Sequence, residues 1–120
     1  MIEGDEDSFL DPVALARAEA ALHNLAAEYP HRLEADLTQA DACLAAPADI
    51  DRLYTILHDI KGQAGTFGYP LVGAIAQRLC LGIKEGRADQ AWLELGVTLI
   101  RNAAGTPNHD APHALLTRLD

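Results

Sequence analysis

The sequence is poor in aromatic residues and in segments that resemble β-strands. Aromatic residues make up 5% of the 120 residues, and alanine and leucine dominate the composition. Strands favour aromatic and β-branched side chains, whereas alanine and leucine favour helices. No segment alternates apolar and polar residues over the length of a strand. These absences argue against a β-sheet protein and predict an all-α fold.

Positive charge and cysteine are also scarce. Lysine and arginine number 9 against 18 aspartate and glutamate residues, for a net charge of −9. Such a chain repels the phosphate backbone, so nucleic acid is not an expected partner. Cys43 and Cys80 lack a Cys-x-x-Cys spacing and lie among apolar residues, which predicts reduced thiols in the core.

The sequence has no apolar run near the ~20 residues that span a bilayer. The acidic start, MIEGDEDSF, resembles neither a signal peptide nor a transit peptide. We therefore expect a cytoplasmic protein that does not enter membranes. The length suits one domain, predicted over residues 11–120 after a disordered acidic lead-in at residues 1–10.

Capping residues and apolar spacing predict four helices. Asp11-Pro12 is a favourable start for the first, which is expected to reach Ala46. Pro30 interrupts it, but apolar residues keep their spacing of three or four across Pro30, which favours one long bent helix. The remaining predictions are a helix over 50–66 capped by Asp49, a helix from Pro70 to about Glu85, and a helix capped by Asp89 and ending near Ala104. The short loops favour an up-down four-helix bundle, followed by a short helical tail over 111–119.

The chemically informative stretch lies on the second helix. At 100° per residue, one face is apolar and forms the bundle core, and it comprises Leu53, Ile56, Leu57, Ile60 and Ala64. A second face, about 130° away, combines His58, Lys61, Gly62 and Gly65, with Tyr54 beside them. This second face is expected to be exposed to solvent.

The residue types on this second face suit phosphoryl chemistry. Two glycines inside a helix cost about 1 kcal/mol each, but they allow another molecule's backbone to approach closely. A neutral imidazole nitrogen is a nucleophile near neutral pH, and a lysine three residues on can neutralise phosphoryl oxygens. A lone histidine on a helix is more often a surface or capped core residue, and His-x-x-Lys-Gly occurs by chance. The longer pattern, with a further glycine at position 68 and a second amphipathic helix, is much rarer.

The segment from about Asp49 to Glu85 resembles the histidine-containing phosphotransfer (HPt) domain. The signature of that family is His-x-x-Lys-Gly, then a turn with glycine, then an apolar helix. It reads here as His58 to Gly62, Gly68 in the turn, and Leu71 to Leu79. One departure is Leu79-Cys80-Leu81, where many members have Leu-Glu, a structural position in the family.

The resemblance implies a role for each matching residue. His58 would be phosphorylated on a ring nitrogen, Lys61 would orient and neutralise the phosphoryl group, and Gly62 would keep the surface open. Gln63 is a weaker candidate for hydrogen bonds to phosphoryl oxygens. The residues expected to contact a partner are Tyr54, Gly65, Gly68 and Tyr69, whereas Leu57 and Phe67 are assigned to packing.

The partner implied by the resemblance is the receiver domain of a response regulator or hybrid histidine kinase. The receiver would supply phospho-aspartate and Mg²⁺, so no metal or cofactor is expected in this chain. The sequence has no glycine-rich phosphate loop and no room for an ATP-binding domain. We therefore expect a monomeric phosphotransfer intermediate without kinase activity, for which the label of enzyme is uncertain.

Two other interpretations stay open at this point. One is a docking module that binds a receiver without phosphotransfer, and the other is a structural helical bundle or adaptor. An exposed His58 at mid-helix beside Lys61 would favour the carrier, and a buried His58 would exclude it. His109 and His113 have a spacing that suits a metal, but no further ligands are evident and no metal site is predicted.

Overall fold

The computed structural model describes residues 11–105 and 118–119. These residues form four helices and contain no strand: α1 Pro12–Leu44, α2 Ile50–Thr66, α3 Pro70–Lys84 and α4 Gln90–Ala104. The all-α prediction is confirmed, and the predicted ends of all four helices lie within two residues of the observed ones. The up-down order of the whole bundle remains a prediction.

α1 is a single helix that runs through Pro30, as the unbroken apolar spacing predicts. Asp11 caps its start, because the Val13 N–H donates to Asp11 Oδ1 at 3.1 Å. The chain divides into two compact units after Pro30. Within the first unit, the apolar side chains Val13, Leu15, Leu22 and Leu25 are exposed. The bend predicted at Pro30 stays a prediction.

Side-chain caps begin α2 and α4 where the sequence predicts them. Asp49 Oδ1 accepts the Arg52 N–H at 3.1 Å, and Asp89 Oδ1 accepts the Trp92 N–H at 2.8 Å. Gly68 (φ 88°) and Gly86 (φ 72°) lie in the turns after α2 and α3, in a conformation that favours glycine. Local side-chain chemistry therefore explains where these helices begin and end.

The core of the second unit, residues 31–120, is built from one apolar stripe on each helix. Its fully buried side chains include Leu33 and Leu37 of α1, Leu53, Leu57 and Ile60 of α2, Ile75 and Leu79 of α3, and Leu99 and Ile100 of α4. Two glycines allow α3 and α4 to approach closely. A Cβ on Gly82 would overlap the Trp92 indole, and one on Gly96 would overlap the Leu79 side chain.

Polar contacts add to this packing. The Trp92 Nε1–H donates to the Leu119 carbonyl at 2.9 Å, and Gln90 Nε2 donates to the Leu44 carbonyl at 2.7 Å. Arg101 forms an ion pair with Asp41 at 2.6 Å. These bonds connect α4 to residue 119 and to the end of α1.

Cys43 and Cys80 are buried free thiols, as predicted. None of the helices in the described part of the chain has the length and apolar character needed to cross a membrane. The predicted acidic lead-in, most of the predicted tail helix, and His109 and His113 lie outside the described residues. The single domain predicted over 11–120 stays a prediction.

Candidate functional site

α2 places His58 on its solvent face near the middle of the helix. His58 is exposed, whereas its neighbour Leu57 is fully buried in the core. Leu57 and His58 are consecutive, so the helix turns one side chain inward and the next outward. This is the arrangement that the sequence predicts for a histidine available to another molecule.

Aromatic and cationic side chains flank the imidazole. The half-buried Tyr54, one turn earlier, stacks on the His58 ring. Lys61, almost one turn later, is exposed, so its ammonium is free to reach a group carried on the imidazole. The structure therefore brings together the predicted nucleophile and the predicted neutralising cation.

Gly62 and Gly65 continue this exposed face. A Cβ added at either position would meet nothing within 4 Å. Gly82 and Gly96 differ, because packing against Trp92 and Leu79 excludes a side chain there. No packing within the described chain explains Gly62 and Gly65, although each costs helix stability. The open surface that they leave suits the approach of another molecule.

α3 lies along the side of α2 that carries Lys61. A Cβ on Gly73 of α3 would be 3.6 Å from the Lys61 carbonyl oxygen and 3.8 Å from the Gly65 nitrogen. Burial raises the pKa of the Cys80 thiol on α3, while the Lys61 and Lys84 ammonium groups lower it. Both lysines therefore lie near the same buried thiol. The side of His58 that faces α3 is thus positively charged.

α1 lies along the opposite side of α2. The Arg52 guanidinium donates to Gln39 Oε1 of α1 at 3.2 Å. Asp59, two turns after Arg52 on the same face, interacts with Asp36 of α1. Burial raises the pKa of Asp36, Arg32 lowers it, and Asp59 raises it further. This side of His58 therefore carries both positive and negative charge.

The other predicted site residues lie in or near the turn between α2 and α3. Gln63 is half-buried, and its Oε1 is buried without a hydrogen-bond partner among the described residues. Gly68 adopts a positive φ, and Tyr69, 8% exposed, precedes α3 and donates its N–H to the Ala64 carbonyl at 2.8 Å. Gly68 and Tyr69 thus shape the turn, and their predicted contacts with a partner stay predictions.

Sequence reasoning did not single out two exposed residues of α3, Leu81 and Lys84. Leu81 is 44% exposed. The available signal was that Leu81 lies off the stripe of Leu71, Ile75, Leu79 and Ile83, which marks the apolar face of α3. A lone leucine off such a stripe is common on protein surfaces, so periodicity alone gave it no significance.

The fold and the site define a class of protein: a helical domain that presents a histidine and a lysine on one exposed helix face. The chain belongs to the Hpt domain family, whose sequence profile matches residues 12–106. Hpt domains take part in histidine phosphotransfer in phosphorelays, where they interact with receiver domains. No curated protein and no solved structure matches the chain.

Proposed function

We propose that this chain is a histidine phosphocarrier of a two-component phosphorelay, which exchanges a phosphoryl group with receiver-domain aspartates through His58. The observation that carries the proposal is the exposure of His58 at mid-helix, next to Lys61 and two glycines without packing neighbours. A helix selected for stability alone would have alanine at those glycine positions.

The proposed transfer conserves atoms and charge in a single displacement. The lone pair of a neutral His58 ring nitrogen forms the N–P bond while the P–O bond to the receiver aspartate breaks. That bonding pair returns to the aspartate as carboxylate. The phosphorylated imidazolium can then release its remaining ring proton to water. The reverse sequence passes the group to a second receiver.

Positioning and charge neutralisation are the main requirements of phosphoryl transfer. Lys61 would pair with the phosphoryl oxygens, and the Gln63 amide is a weaker candidate for a hydrogen bond to them. The receiver would supply Mg²⁺ and its own carboxylates, so this chain contributes the nucleophile and the lysine. It would receive its phosphoryl group from a protein and not from ATP.

The finer features of the proposal follow from the sequence. We propose a cytoplasmic monomer in which residues 11–120 form one domain, with the helices in up-down order. Tyr54, Gly65, Gly68 and Tyr69 would contact or shape the surface for the receiver. The alternative is a docking module that binds a receiver without accepting phosphate, and the presence of both His58 and Lys61 argues against it.

The test is to incubate the protein with receiver domains phosphorylated on aspartate and to follow the transferred label. We expect acid-labile, base-stable label on the wild type and none on His58→Gln. His31→Gln is the matched control, because His31 is also an exposed helical histidine, and it should be labelled normally. Binding without labelling would support the docking module instead. Equal labelling of wild type and His58→Gln would exclude His58 as the acceptor.

A further inference from the structure

We propose that the receiver docks over α2 and extends onto α3, and that Leu81 and Lys84 of α3 determine which receiver is accepted. This inference rests on the proposed function and assigns part of the partner surface to a helix outside the histidine motif. It follows from the position of α3, the area that a receiver must cover, and the distribution of charge around His58.

The level of Leu81 along α2 follows from the contacts of Gly73. Gly73 lies beside Lys61 and Gly65, and the short turn after Thr66 sends α3 back along α2. Leu81 comes eight residues after Gly73, about 12 Å further along α3 at 1.5 Å per residue. Because α3 runs antiparallel to α2, the same distance is counted back along α2 from the level of Gly73. It reaches the turn that contains Tyr54, Leu57 and His58. Leu81 therefore lies level with the histidine.

The helical phase of α3 turns these residues toward solvent beside α2. Cys80 is buried, whereas Gln77, Leu81 and Lys84 are exposed. At 100° per residue, Lys84 lies about 20° from the direction of Gly73 and Leu81 about 80° from it. Lys84 thus borders the α2 side, as its effect on Cys80 alongside Lys61 also indicates, and Leu81 lies on the adjoining outer surface.

A receiver centred on His58 would have to cover this surface. Specific protein–protein interfaces bury about 800 Å² on each partner, which corresponds to a roughly circular patch of about 16 Å radius. α2 alone is too narrow for such a patch, because packed helices lie about 8–10 Å apart. The interface must therefore extend onto one or both of the neighbouring helices, α1 and α3.

Charge favours the α3 side. His58 lies about 60° around α2 from Lys61 and about 100° from Asp59. Lys61 and Lys84 make the α3 side basic, whereas the α1 side pairs Asp36 and Asp59 with the cations Arg32 and Arg52. A receiver presents the carboxylates of its own phosphorylation pocket, which the two lysines attract, whereas the mixed charge of the α1 side gives no comparable attraction. The partner that fits therefore has an acidic pocket with an apolar side chain beside it.

Leu81 supplies the apolar contact in this arrangement. Within residues 31–105 it is the one large apolar side chain that is exposed. Covering an exposed apolar side chain with a partner removes its surface from water, which favours binding. Truncating or charging Leu81 should therefore weaken receiver binding without disturbing the bundle core.

The test compares variants of Leu81 and Lys84 in phosphotransfer from a cognate phosphorylated receiver. Leu81→Asp and Lys84→Glu should each slow transfer and weaken receiver binding at least tenfold, and Leu81→Ala should have a smaller effect in the same direction. The Lys84→Glu defect should shrink at high salt, since salt screens exposed charges. Matched controls are Leu22→Asp, an exposed leucine of α1, and Arg87→Glu, an exposed arginine after α3. Both should transfer at the wild-type rate.

A small phosphoryl donor distinguishes a defect in receiver docking from a defect in the chemistry at His58. Phosphoramidate needs no protein surface, so it should phosphorylate His58 equally in the wild type, Leu81→Asp and Lys84→Glu. Loss of labelling by phosphoramidate in these variants would mean damage at His58 and would overturn the docking role. Wild-type transfer rates from the receiver in both variants would overturn it as well, while leaving the phosphocarrier function intact. A wild type that phosphoramidate labels and no receiver labels would instead refute the proposed function.

Discussion

Tyr54 and His58 stack on the exposed face of α2, with ring centroids 6.1 Å apart and an angle of 29° between the ring planes. The two residues are four apart, so each lies over the other along the helix. Tyr54 is half-buried, which restricts its own ring more than that of the exposed histidine. We therefore expect the tyrosine ring to limit the orientations that the imidazole samples.

This stacking predicts a kinetic effect for Tyr54→Ala. Aromatic pairs contribute about 0.5–1.5 kcal/mol beyond the area they bury, so transfer to His58 should slow by about 2- to 10-fold. Tyr54→Phe keeps the ring and should stay near the wild-type rate. Single-turnover transfer from a saturating phosphorylated receiver measures the effect. Equal rates for Tyr54→Ala and the wild type would show that the ring does not position the imidazole.

Replacing an exposed glycine of α2 with alanine should stabilise the fold and hinder the receiver's access to His58. Gly62→Ala and Gly65→Ala should each raise the free energy of unfolding by about 1 kcal/mol, because a Cβ meets no neighbour there and alanine favours helix. Both should slow phosphotransfer from a receiver, since the added methyl group occupies the approach surface. Urea unfolding and transfer assays provide the two measurements.

Gly82→Ala is the control for that prediction, because its Cβ would overlap the Trp92 indole and should lower stability. If Gly62→Ala and Gly65→Ala were more stable and also transferred at the wild-type rate, close approach of the receiver's backbone would not explain these glycines.

Replacing Lys61 should impair transfer and leave the fold unchanged. A hydrogen bond to a charged group contributes roughly 1.5–3 kcal/mol, so Lys61→Gln should slow transfer by about 10- to 100-fold. Its stability should change by no more than about 0.5 kcal/mol, because the side chain is exposed. Lys61→Arg keeps the charge and should recover part of the rate. An unfolded or strongly destabilised Lys61→Gln protein would instead show a structural role for the lysine.

Asp36 should make stability depend on pH in the acid range. Burial and the nearby Asp59 raise the pKa of Asp36, and Arg32 only partly opposes this. The folded state therefore holds the Asp36 proton more tightly than the unfolded state, and stability falls as pH rises from the unfolded pKa through the folded pKa. Asp36→Asn should raise Tm above that range, and the gain should diminish below it. A Tm difference that does not change with pH would contradict the prediction.

Much of the secondary structure was predictable from the sequence because it depends on interactions between neighbouring residues. The ends of α2 depend on Asp49, whose carboxylate reaches the Arg52 N–H, and on the turn before Pro70, so neighbouring residues were sufficient. The exposed face of α2 was also predictable, since 100° per residue separates His58 and Lys61 from Leu57 and Ile60. Side-chain periodicity thus predicted that His58 and Lys61 are exposed, and the longer sequence pattern around them marked them as candidates.

Only the tertiary structure decided what surrounds that face. Periodicity marks Leu22 and Leu25 of α1 in the same way as Leu33 and Leu37, yet the first pair is exposed and the second is buried. A repeating pattern identifies an apolar face but not whether another helix covers it. The mixed charge around Asp36 and the basic side with Lys84 and Leu81 likewise depend on how α1 and α3 pack against α2. Close contacts such as Gly73 beside Lys61 set that packing between residues of different helices, and no local sequence signal records it.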